Sequence, residues 1–100
     1  MMRIKVSRDA RRELKEAANW YDDRKLGLGD EFVAACDQLF KLIAANPGRH
    51  MHVGRGFHRC LMPRFPYVVF YEPKRDALII AGVIHGSRNP AFWRQRLGLD

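Results

Sequence analysis

The chain has 100 residues, 47% apolar and 29% charged, a composition that supports one small globular core over residues 1–100 and excludes disorder. Its longest apolar run, residues 77–84, is far shorter than the ~20 residues of a membrane span, and residues 1–14 become charged at once, which predicts neither a signal peptide nor a membrane anchor. Two cysteines, Cys36 and Cys60, make no disulfide framework, which excludes a secreted disulfide knot.

The charge is uneven. Lys and Arg number 18 against 11 Asp and Glu, for a net +7. Residues 1–46 hold nine basic and eight acidic groups, while residues 47–100 hold nine and three. Thirteen of the basic residues are arginine, whose planar fork matches carboxylates and phosphates, so the second half points to an acidic partner.

In chain order, Met2-Arg3-Ile4-Lys5-Val6 alternates like a half-buried strand. Ser7 is an N-cap for a helix running to about Lys25, with Asp9 in its first turn. Ala10, Leu14, Ala17, Ala18 and Tyr21 form its apolar stripe, and Arg8, Arg11, Arg12, Lys15 and Asp22 its polar face. Gly27 and Gly29 mark a turn into a second helix over 28–46. Its stripe is Leu28, Phe32, Ala35, Cys36, Leu39 and Ile43, widened by Val33, Phe40 and Leu42, and Asn46-Pro47-Gly48 ends it. Residues 49–56 are polar and glycine-rich without periodicity, which predicts a loop. Residues 57–62 alternate, residues 66–71 are β-branched and aromatic, and residues 77–85 are continuously apolar, which predicts three strands with the last one central. A short helix with Pro90 near its start follows. The order β-α-α-β-β-β with a C-terminal helical tail predicts an α+β fold: a small antiparallel-type sheet packed on an N-terminal helical hairpin, with the helices on one face.

Chemistry-bearing motifs are sparse. His50-x-His52 and His58-x-Cys60 match no familiar zinc spacing, Cys36 lies in a core stripe, and no residue stands in a nucleophile–histidine–acid arrangement. Neither a metal nor a cofactor is expected. The concentrated signal is Arg55, Arg59, Arg64, Arg88, Arg94 and Arg96 with His58, His85, Tyr67, Phe92 and Trp93, a basic and aromatic set suited to RNA or to an acidic peptide.

Three stretches together carry a family resemblance. The first is Val6-Ser7-x-x-Ala10-x-x-x-Leu14, continued by Tyr21, Phe32, Leu39 and Asn46-Pro47-Gly48. The second is Arg59-x-Leu61 with Tyr67-Val68-Val69-Phe70-Tyr71, and the third is Val83-Ile84-His85-x-x-Arg88-x-Pro90-x-x-Trp93. In these the chain resembles the RelE/ParE superfamily of bacterial type II toxins, also called plasmid stabilisation proteins. The resemblance implies a toxin neutralised by a cognate ParD-like antitoxin, whose extended segment would contact Arg11, Leu14, Tyr21, Phe32 and Arg59.

It also implies one of two targets. ParE-like members inhibit DNA gyrase and have no catalytic residues; the target contacts here would be Arg59, Arg64, His85, Arg88, Phe92 and Trp93. RelE-like members are ribosome-dependent mRNA endonucleases, and the corresponding residues would be Arg59, Arg64, His85 and Arg88. RelE-like nucleases usually carry an arginine where this chain has Val68, and paired lysines where it reads His58-Arg59-Cys60, so the resemblance is nearer to ParE. A non-toxic nucleic-acid-binding module is the third alternative, although no groove-reading motif is present.

Overall fold

The computed structural model describes residues 2–100. Strand β1 (Arg3–Val6) leads into helices α1 (Arg8–Arg24) and α2 (Leu28–Ala45). Strands β2 (Met51–Gly54), β3 (Phe57–Leu61), β4 (Tyr67–Pro73) and β5 (Ala77–His85) follow, and a short α3 (Pro90–Arg96) closes the order. The α+β arrangement of a helical hairpin on a sheet is as expected from the sequence, and three features extend it.

The segment 49–56 is not all loop: Met51–Gly54 forms β2, the sheet's outer edge, antiparallel to β3. The sheet is mixed, because β1 lies parallel to β5 while the other pairs are antiparallel, in the order β1-β5-β4-β3-β2. The helices are not confined to one face either. Val69, Tyr71, Leu78, Ile80 and Val83 pack with the hairpin on an inner face, whereas Val68, Phe70 and Ile84 form a second cluster with Phe92, Trp93 and Leu97 on the outer face.

Local sequence explains the elements. The Ser7 hydroxyl accepts from the Ala10 amide at 3.1 Å, capping α1. At the hairpin turn Gly27 has φ +90°, and a Cβ on Gly29 would run into the Ala18 carbonyl. That close approach lets Asp22 accept from the Gly29 amide at 2.7 Å, tying the end of α1 to the start of α2. Helix α2 buries Phe32, Cys36, Leu39, Phe40 and Ile43, but Val33 and Leu42 face outward. Each large side chain so buried contributes about 1.5–3 kcal/mol. Burial also pushes the Cys36 thiol and the Tyr71 phenol up to about 12, so both stay neutral at physiological pH. The Tyr71 hydroxyl donates to the Pro47 carbonyl at 2.8 Å, satisfying the one polar atom that this ring brings into the core.

Strand β5 is central, as its unbroken apolar run predicts, but only Ala77–Ile80 pair with β1. The pairing with β4 shifts register between Phe70 and Tyr71, so Ala81 is an extra residue on β5. Beyond Ile80 the edge facing α1 has no strand neighbour, and side chains fill it. Glu13 accepts from the Val83 amide at 3.0 Å, and Arg96 donates to the Ala81 carbonyl at 2.7 Å. The two side chains meet in a two-pronged ion pair at 2.9 and 3.2 Å, with side-chain exposures of only 13% and 16%. On α3 the Asn89 side chain caps the Ala91 amide at 2.8 Å, and the Trp93 ring stacks on Phe70 with centroids 4.9 Å apart.

Two stability outcomes follow from this packing. Arg96→Met or Glu13→Ala should each cost about 3 kcal/mol in urea unfolding, because either leaves a largely buried charge unpaired, and Glu13→Ala also orphans the Val83 amide. The double variant should cost clearly less than the two losses added together, since the pair acts as one unit. Trp93→Ala should cost about 3 kcal/mol by removing the ring that covers Phe70, seen as a lower melting midpoint.

Candidate functional site

Two depressions flank the C-terminal end of β5, one on each face of the sheet. On the inner side a groove of about 960 Å³ runs between α1, the β3–β4 loop and the end of β5. Its floor is aromatic: Tyr21 meets Phe65 at 5.0 Å and Phe32 at 5.3 Å, and Phe32 meets Tyr67 at 5.1 Å. Burial raises the pKa of Tyr21 and Tyr67, so neither phenol ionises at neutral pH. Trp20 stands on the α1 wall, half exposed, with the Arg24 guanidinium 3.9 Å above its ring. Glu16 lies on that same wall, and His85 and Arg88 on the opposite one.

On the outer side a smaller depression of about 150 Å³ has a floor of Val68, Phe70, Ile84 and Trp93. Arg59, His85 and Arg88 rim it, and no carboxylate lines it. Arg59 is cross-strand partner to Phe70 and so projects from the outer face. Arg88 lies over the Phe92 ring at 4.0 Å. Among the described residues, neither arginine meets a carboxylate.

The sequence-predicted residues distribute unevenly over these sites. His85 is cross-strand partner to Tyr67 and packs edge-on to its ring at 5.1 Å, which places its side chain on the inner face, opposite to Arg59. Its Nδ1 accepts from the Ser87 amide at 3.1 Å and sits 2.8 Å from the Ser87 hydroxyl, leaving the ring proton on Nε2. Arg64, in the β3–β4 loop with φ +70°, pairs with Glu31 of α2 at 2.9 Å and lies beside the inner groove. Arg64, His85 and Arg88 line the inner groove and Arg59, His85 and Arg88 the outer depression, so no single depression takes in all four. Trp93 is packed on Phe70 rather than presented outward, and Phe92 lies beneath Arg88.

Of the residues expected to meet an antitoxin, Tyr21 lines the groove, Leu14 is half-buried against the core, and Arg11 is exposed, donating to the Val6 carbonyl at 3.1 Å. Phe32 is corrected: at 0% exposure it supports the groove from below and offers a partner no surface. Sequence reasoning missed Trp20, which reads as one more residue on the polar side of α1. It also missed Met51 and Leu61, each 67% exposed beside Arg59.

The histidines and Cys60 around the β2–β3 hairpin are tied into structure. His52 Nε2 accepts from the Gly56 amide at 3.1 Å, His58 Nδ1 lies 2.9 Å from the His50 carbonyl, and His58 stacks on Tyr71 at 5.3 Å. Cys60 is buried 3.7 Å from His50 Nε2, and burial raises its pKa. No cluster of three metal-ligating side chains forms among the described residues, and no helix among them is long and apolar enough to cross a membrane.

No curated protein matches the sequence significantly. Among solved structures, a chromosomal ParDE toxin–antitoxin system from P. aeruginosa is similar in fold. The TM-score is 0.65 at 18% identity, covering 85% of this chain and 96% of the other. The family model described as the ParE toxin of the type II toxin–antitoxin system parDE matches residues 4–90, from β1 to the first residue of α3. Since that match takes in both helices of the hairpin and all five strands, the chain belongs to the ParE toxin family of type II toxin–antitoxin systems.

Proposed function

We propose that this ParE-family toxin acts in the bacterial cytoplasm, is neutralised by a ParD-like antitoxin and arrests growth by inhibiting DNA gyrase. The antitoxin segment occupies the inner groove. Rings in edge-to-face and tilted contact floor that groove, half-exposed Trp20 offers apolar surface, and Glu16 lines it together with the basic His85 and Arg88, a combination suited to an amphipathic segment that folds on binding. Arg11, on the exposed side of α1, adds a rim charge.

The observation that carries the choice of target is the division of the four basic residues between two depressions, Arg64 on the inner and Arg59 on the outer side, with His85 and Arg88 lining both. General acid–base cleavage of RNA requires its groups within hydrogen-bond reach of one phosphodiester. Here Arg59 and His85 project from opposite faces, and Arg64 is held by Glu31. Val68, where RelE-like nucleases usually carry an arginine, is buried in the outer cluster. These features favour a binding surface over a catalytic centre.

Controlled expression in bacteria should arrest growth, and purified protein should block supercoiling by DNA gyrase while leaving ribosome-bound mRNA uncut. Codon-positioned mRNA cuts that disappear in Arg59→Ala would reverse the choice of target. For the groove, Trp20→Glu should abolish rescue by the antitoxin encoded beside the toxin while retaining growth arrest. Rescue undiminished by Trp20→Glu would place the antitoxin elsewhere.

A further inference from the structure

The outer face around Arg59 has a composition of its own. Register places Met51 of β2 directly across from Arg59, and Leu61 follows two residues along β3 on the same face. Both are 67% exposed, so Arg59 is flanked by two large apolar side chains that the fold does not cover. Beside them lies the 150 Å³ depression, with an apolar floor and Arg59, Arg88 and the strand-end His85 at its rim. Neither arginine is neutralised by a carboxylate among the described residues. Arg96, by contrast, is fully engaged by Glu13 and the Ala81 carbonyl.

From this juxtaposition we infer that the outer face of β2 and β3 is a protein-docking surface, anchored by an acidic side chain of the partner seated between Arg59 and Arg88. The inference rests on the toxin reading and assigns the chemistry by which the toxin recognises its target. Three observations favour an acidic protein over a nucleic acid. Nucleic-acid surfaces are met by charged and polar groups, whereas Met and Arg are enriched where proteins meet, the apolar residues excluding water around a central charge. No ring of this outer face stands free to stack on a base, since Trp93 is stacked on Phe70 and Phe92 is covered by Arg88. The depression has room for a carboxylate side chain against an arginine fork, but not for a nucleotide as well.

Two variants of the full-length protein separate these partners by survival after induced expression. Arg59→Glu inverts the anchor. Met51→Lys/Leu61→Lys keeps the anchor but replaces its apolar rim with positive charge. Contact with a nucleic acid gains from added lysines, whereas contact with a protein loses its water-excluding rim. Both variants should raise survival about tenfold or more over the wild type, the scale of a lost hot-spot contact. Melting midpoints should stay close to the wild type, because all three side chains are off the core; Leu61→Gln replaces the double variant if that one melts early.

Growth arrest by the double-lysine variant equal to or stronger than the wild type would overturn the inference and point to nucleic acid. Undiminished arrest by Arg59→Glu would overturn it as well. A wild-type chain that arrests growth without inhibiting purified gyrase removes only the choice of target, and the two variants still decide the surface. A wild-type chain that does not arrest growth removes the toxin reading and this surface together.

Discussion

Strand β5 outruns its parallel neighbour, and the rest of the structure is arranged around its unpaired edge. A central strand buries its backbone, so amides and carbonyls left without a ladder partner need substitutes. Strand β1 ends at Val6 because Ser7 turns the chain into α1, with the Ser7 amide making a last bond to the Ile80 carbonyl at 2.9 Å. From there Glu13 serves the Val83 amide, while Arg96 and the Ser7 hydroxyl serve the Ala81 carbonyl. A strand would have continued the sheet and closed the space beside β5. Side chains satisfy the same groups yet leave that space open, and the inner groove lies there.

The arginines of the second half fall into three kinds, of which the β5 edge claims one. Arg96 is desolvated, forked onto Glu13 and bonded to a carbonyl, so its removal exposes unpaired groups in the interior. Arg64 pairs with Glu31 in the open, with side-chain exposures of 60% and 49%, where an ion pair contributes at most about 1 kcal/mol. Arg59 and Arg88 have no carboxylate partner among the described residues. Their cost to the fold is slight because water solvates them, and their guanidinium forks remain available. Charge in the second half of the chain is therefore one number covering three different physical roles.

Much of the fold is legible in the sequence because its periodicity is strong. The stripes of α1 and α2, the Ser7 cap and the apolar run of β5 each have a local cause that survives tertiary context. Strand β2 escapes that reading. Met51 and His52 are both exposed and only Val53 packs on the outer cluster, so an edge strand this short shows no alternation, and a register shift between His52 and Gly54 interrupts it further. Phe32 escapes for the opposite reason, since an apolar stripe looks the same whether the molecule's own sheet or a partner covers it. Whether Arg59 and His85 share a face depends on the bulge at Ala81 and on strand pairing, neither of which has a local signal. Glu13 reads as a solvated helix residue because the arginine that claims it lies 83 positions away.

Helix α3 shows how the buried pair and the outer surface are linked. It has seven residues, none of them buried, and a helix that short does not form unaided in water. Three contacts hold it: the Asn89 cap at its start, the Trp93 ring on Phe70 in its middle, and the Arg96 fork on Glu13 at its end. Arg88 immediately precedes the cap and rests on Phe92, a residue of that helix. The position of an unpaired cation on the surface is thus fixed by the interaction that closes the β5 edge. Loosening Arg96 would displace Arg88 without touching it, so substitutions at Glu13 or Arg96 belong to the outer surface as much as to the core.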